Sequence, residues 1–160
     1  MAHSFAERFS KGDFRVSLRS GVTLLEVLVV AGVLVIIFTM IVPSLLRSKI
    51  ASNEASAIGS LKQIGSGQEQ YKFGAGSNCY GALSELAAGD NPYVDETVGS
   101  GKKSGYNFTV IVPPNRERYI ARASPVTPDK TGQRYFYLDE SGIVRQKVGS
   151  PASSNDSPIE

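Results

Sequence analysis

Ser20-Gly21-Val22-Thr23-Leu24-Leu25-Glu26 opens onto Val27–Leu46 (VLVVAGVLVIIFTMIVPSLL), twenty residues without a charge. At a rise of 1.5 Å per residue, a helix of that length covers roughly 30 Å, the thickness of bilayer hydrocarbon. A secretory signal has an apolar region of only about 7 to 15 residues, followed by a small-residue cleavage site. Ala55-Ser56-Ala57 imitates such a site but lies too far downstream. The run therefore reads as a spanning helix, interrupted by Gly32 and Pro43. Proline inside a helix removes one hydrogen bond and favours a kink, which membrane helices tolerate when local adjustments satisfy the freed carbonyl. Glu26 stands at the edge of this stretch. Ionisable groups there are costly and rare, which marks Glu26 as functional and requires a partner for it. If the chain is cut after Gly21, whose missing side chain lets a peptidase pocket approach the backbone, the partner is the new amino group of Val22.

Composition narrows the rest. With 160 residues, 41% hydrophobic and 20% charged, the chain has room for one modest globular domain besides a long helix. The 17 basic and 15 acidic side chains fall to 13 of each once residues 1–21 are set aside, because Arg8, Lys11, Arg15 and Arg19 outnumber Glu7 and Asp13 there. A near-neutral remainder carries no electrostatic footprint for nucleic acid. Cys79 is the only cysteine, so no intramolecular disulfide forms, and a small buried hydrophobe in a loop is the better reading than a reactive thiol. His3 is the only histidine. With no histidine, no nucleophile paired to a base and no phosphate-binding loop after the span, an enzyme is not expected, and neither is a cofactor.

Beyond the span, Ile50, Ala51, Ala55, Ile58, Leu61, Ile64 and Tyr71 recur at intervals that mostly fit one helical face, while Lys49, Asn53, Glu54, Lys62, Gln63 and Gln70 supply a wet one. The helix is predicted to end near Lys72, where Gly74-Ala75-Gly76-Ser77-Asn78 stops it. Residues 74–104 read as an exposed connecting loop with a short helical piece at 83–88, and turns are expected at Asp90-Asn91-Pro92 and Gly99-Ser100-Gly101. Strand-like runs follow at 106–112, 118–123, 135–138 and 143–145, the last two forming a hairpin about Asp139-Glu140-Ser141-Gly142. They suggest a three- or four-stranded antiparallel meander covered by residues 50–72. Asp129, Asp139, Glu140 and Ser141 match no calcium-loop spacing and are assigned no metal. Tyr135, Phe136 and Tyr137 read as cross-strand packing rather than as a stacking platform for bases. Residues 149–160, rich in Ser, Pro, Asn and Asp, read as a mobile tail.

A basic leader, then Gly21, Val22, Thr23-Leu24-Leu25-Glu26 and an apolar helix resembles the prepilin signature of type IV pilins and type II secretion pseudopilins. Pro43, the twenty-second residue after the proposed cut, stands where that family commonly has a proline. The run Gly105-Tyr106-Asn107-Phe108, then Ala121-Arg122-Ala123-Ser124-Pro125, then Tyr135 to Arg145 is similar to small bacterial pilin-like proteins. Valine at position 22, a leader of 21 residues and the missing disulfide are departures from the family pattern.

The resemblance implies an α+β fold, with a long N-terminal helical spine, half transmembrane and half amphipathic, packed against a small antiparallel β-sheet. It implies the organisation 1–21 leader, 22–46 transmembrane and filament-core helix, 47–73 amphipathic helix, 74–104 connecting loop, 105–148 sheet and 149–160 tail. It further implies cleavage between Gly21 and Val22 by prepilin peptidase, methylation of the Val22 amine, and axial registry between subunits from a Val22–Glu26 charge pair. The implied partners are other copies of the chain or related pilins, the peptidase, and an inner-membrane assembly platform with its ATPase. The implied location is the bacterial inner membrane with the N-terminus cytoplasmic, then a periplasmic or cell-surface filament (a fimbrium or a pseudopilus). A non-polymerising bitopic membrane protein with an extracytoplasmic binding domain is the alternative.

Overall fold

The structure, a computed structural model, describes residues 21–159 apart from the Met40 side chain. The leader expected at residues 1–21 lies outside the described residues except for Gly21. The chain divides into two compact units, Met1–Thr39 and Met40–Glu160.

In the first unit the described chain has no regular secondary structure through Thr23 and then enters α1, which runs Leu24–Phe73. Every described side chain from Gly21 to Lys49 is exposed. α1 holds the single stretch among the described residues that is long and apolar enough to cross a membrane. Side chains such as Leu24, Leu28 and Ile36 find no core among the described residues, and apolar surface of this kind is favoured by hydrocarbon or other helices around it.

In the second unit, α1 lies on a five-stranded antiparallel sheet ordered β1-β2-β3-β4-β5, with β1 Lys102–Lys103, β2 Tyr106–Ile111, β3 Ile120–Pro125, β4 Arg134–Asp139 and β5 Arg145–Val148. Short connections between consecutive strands make it a meander. Two short helices, α2 Leu83–Leu86 and α3 Glu96–Gly99, occupy the α1–β1 connection. Strand period sets the two faces: Tyr106 and Phe108 of β2 are buried whereas Thr109 and Ile111 are exposed. Ala57, Leu61 and Ile64 of α1 meet Tyr106, Phe108, Ala121, Ala123, Phe136 and Leu138 of the sheet. Burying each of the larger of these side chains stabilises the fold by about 1.5–3 kcal/mol.

The α+β architecture of a long helix on a small antiparallel sheet is the one expected. Five details differ. The buried face of α1 runs through Glu54, Ala57, Leu61, Ile64 and Gln68, so Glu54 faces the core while Ala51 and Ala55 face outwards. Apolar spacing misplaces this face because two of its members are polar groups satisfied by distant partners. The sheet has five strands rather than three or four, since Lys102 and Lys103 pair with Asn107 and Tyr106. Nor is the 74–104 connection an exposed loop: Tyr80, Leu86, Val94 and Val98 are buried in the core. β5 starts at Arg145, two residues later than the predicted run; Val144 ahead of it is buried, and Gly142 turns the chain with φ +72°.

Finally, the segment read as a mobile tail is tied to β5. Gln146 N donates to Ser157 O at 2.9 Å and Ile159 N to Val144 O at 3.0 Å. Arg145 Nη1 donates to the Asp156 carbonyl at 3.0 Å, and Ala152 is buried. An edge strand leaves backbone groups unpaired, and these residues pair them.

Candidate functional site

Helix formation at Leu24 leaves the first backbone N–H groups of α1 without partners. Thr23 supplies one: its Oγ1 accepts a hydrogen bond from Glu26 N at 3.2 Å, and its carbonyl accepts from Val27 N, also at 3.2 Å. Thr23 is therefore the N-cap and Glu26 the third helical residue, with its carboxylate in the first turn, where the helix dipole favours an anion. The Thr-x-x-Glu spacing is a capping-box pattern, and it is the local signal that identifies Thr23 as part of the site.

Val22 and Glu26 come together. They line, with Val27, Val30, Ala31 and Leu34, a shallow groove of about 300 Å³ along one face of the helix head. The spacing 26, 30, 34 places one residue per turn on that face, and Val22, just ahead of the N-cap, borders the same groove. Val22 is 69% exposed, and Gly21 is exposed with nothing among the described residues within 4 Å of the position a Cβ would take. No ion-pair partner of Glu26 lies among the described residues. Chemically, this is an exposed carboxylate on an apolar surface whose groove Val22 also lines.

Pro43 sits inside α1 and deprives the Thr39 carbonyl of its helical donor. The Thr39 hydroxyl, for its part, donates to Ile36 O at 2.7 Å.

The second unit contains polar groups that are occupied in holding the fold. Glu54, 6% exposed, accepts Gln133 N at 2.8 Å, Arg134 N at 3.1 Å and Arg134 Nε at 2.7 Å, while Arg134 Nη1 donates to Gln146 Oε1 at 2.6 Å. Gln68, fully buried, donates to Gly81 O at 2.7 Å and accepts Gly81 N at 2.9 Å. Asp95 caps α3 by accepting Val98 N at 2.7 Å, and its other oxygen takes Lys103 Nζ at 2.7 Å. The Lys103 hydrogen bond is the largest cause holding the Asp95 carboxyl at about 2, against an ordinary 3.8. Burial raises the Tyr106 and Tyr119 phenols well above their usual 10.

Among the described residues, no three His, Cys, Asp or Glu side chains converge. Asp129 lies in the β3–β4 connection, and Asp139, whose carboxylate accepts Ser141 N at 3.0 Å within its turn, is the last residue of β4. Phe136 packs on Tyr106 in the core at 5.8 Å between ring centroids. Cys79 is free and half-buried. Compared with family models, with curated proteins and with solved structures, the chain has no significant match in any of the three.

Proposed function

We propose that this chain is a structural subunit of an inner-membrane-assembled filament, a type IV pilus or a type II secretion pseudopilus, and not an enzyme. The observation that carries the reading is the head of α1: Val22, just ahead of the helix, and Glu26, in its first turn, line one exposed apolar groove next to the exposed Gly21. Prepilin peptidase removes residues 1–21 and methylates the Val22 amine. The new ammonium and the Glu26 carboxylate each resist entering an apolar bundle alone. Paired between neighbouring subunits they offset part of that desolvation, because opposite charges attract more strongly where the dielectric is low. The pair favours one axial offset among the many that apolar packing alone would permit. An assembly platform and its ATPase extract the subunit from the membrane, and the second unit ends in the periplasm or at the cell surface. Pro43 marks the place where the helix loosens within the bundle.

Mass spectrometry of the native protein tests this. A mature terminus at methylated Val22, with fibres of the purified protein visible by electron microscopy, is the expected result. An intact leader on a protein that forms no fibres overturns it in favour of a bitopic membrane protein with an extracytoplasmic binding domain.

A further inference from the structure

The two ends of the sheet are chemically different. β3 ends, β4 begins and β5 ends at the end that lies beside Ile50–Glu54 of α1. There Asn53 Nδ2 donates to Thr131 O at 2.9 Å, and Gln133 N donates to Glu54. A cleft of about 460 Å³ opens between Arg47 and Ile50 on one side and Gln133, Arg134 and Val148 on the other. Two apolar side chains are displayed at this end: Val148 is 69% exposed and Val126, at the start of the β3–β4 connection, is 50% exposed.

Cations lie on the segments that meet at this end. Arg47 lines the cleft, Lys49 stands one helical turn before Asn53, and Lys130 lies near the tip of the β3–β4 connection. Several neighbouring charges cancel: Arg134 is paired with Glu54, Lys147 with Asp156 at 3.5 Å, and Lys130 adjoins Asp129. Arg47 and Lys49 remain in excess. Both follow directly on Met40–Leu46, the apolar end of the same helix within this unit.

We infer that this end of the second unit, Val126 and Val148 with Arg47 and Lys49 on the adjoining stretch of α1, rests on a membrane surface and takes anionic phospholipid headgroups as its partner. The valines match the headgroup–acyl boundary, where partly buried apolar side chains are favourable, and the excess cations match lipid phosphate. Lysine and arginine stems lie along apolar surface while their charged ends reach the phosphates. The surface charge of the bilayer would hold the unit down before any assembly. The inference rests on Val27–Leu46 spanning the membrane and does not require polymerisation.

The test is hydrogen exchange of the full chain reconstituted in liposomes of phosphatidylcholine alone or with phosphatidylglycerol added. Amides of residues 126–133 and 147–150 should exchange several-fold more slowly in the anionic liposomes, with residues 84–92 unchanged as an internal reference. High salt should abolish the difference, and Lys49→Gln, an exposed substitution, should weaken headgroup binding about fivefold. Equal exchange in the two lipids, or a difference that survives both high salt and Lys49→Gln, overturns the inference alone. Release of the chain by alkaline carbonate overturns the spanning reading and the inference with it.

Discussion

At the scale of single residues, the same chemical group has opposite duties in the two units. Glu26 is an exposed carboxylate on an apolar helix, whereas Glu54 and Gln68 are buried and fully engaged. For Glu26 the cap from Thr23 explains why an acidic residue is comfortable in the first turn but not why it lines a groove with Val22. In the filament reading, Glu26→Ala leaves membrane insertion intact and lowers the yield of fibres on the order of tenfold, the loss of one charge-assisted bond between subunits. The fraction of protein sheared from cells, measured against the membrane pool, checks this, and unchanged yield removes the role. Gln68 is a different case. Its amide pairs with both backbone groups of Gly81, a link of thirteen positions that fixes the start of the α1–β1 connection against the helix. Gln68→Ala strands a buried N–H and a buried C=O and leaves a void, and should cost about 3 kcal/mol in urea unfolding of the second unit.

At the scale of elements, the question is what fixes α1 against the sheet. Apolar contact through Ala57, Leu61 and Ile64 has little directional preference, and a helix on a flat apolar sheet could slide by a turn. The three hydrogen bonds that Glu54 accepts from Gln133 and Arg134 at the start of β4 pin one position, since the carboxylate must meet two backbone N–H groups and a guanidinium at once. Breaking a buried pair leaves uncompensated polar groups, although Arg134 retains some water and Gln146. Glu54→Ala should therefore lower unfolding stability by about 2–3 kcal/mol, and Glu54→Gln by less, because the amide oxygen still accepts the backbone N–H groups. Chemical denaturation read by tyrosine fluorescence separates the two; equal losses would mean that the charge rather than the acceptor geometry matters.

At the scale of the folded second unit, pH ties several of these features together. Asp95 is held at about 2 in the folded state and titrates near 3.8 when unfolded, so the unfolded chain binds the proton more readily. Its contribution is complete above 3.8 and is lost as pH falls toward about 2. Glu85, lowered first by its bond from Arg116, acts in the same direction. Asp95→Asn should therefore lower the urea midpoint at neutral pH while flattening its fall on the acid side, and the two proteins should converge near pH 2. On the alkaline side the sign reverses. Tyr106 and Tyr119 ionise near 10 only when unfolded, so the stability of the folded state is intact below that value and declines as pH rises past it.

How much of this was legible beforehand follows from the range of the interactions. The apolar run, the Thr23 cap, the end of α1 at the glycine-rich stretch and the positions of β2 and β4 depend on neighbours within a few residues, and composition with spacing settles them. The head of α1 is legible for the same reason: Val22 and Glu26 are four positions apart on either side of the Thr23 cap, and that short span keeps them near each other. Strand edges, the small helix α3 and the pairing of residues 157–159 with β5 depend on what lies alongside, and local sequence does not contain that. Glu54 reads as a surface residue until Arg134, eighty positions away, is brought against it. Polar residues join a core only when remote donors and acceptors satisfy them, so tertiary structure alone decided which polar side chains of α1 face inwards. Sequence by itself decided that the helix has two different lives, an apolar half that needs a nonpolar surrounding and a half that finds its cover in the sheet.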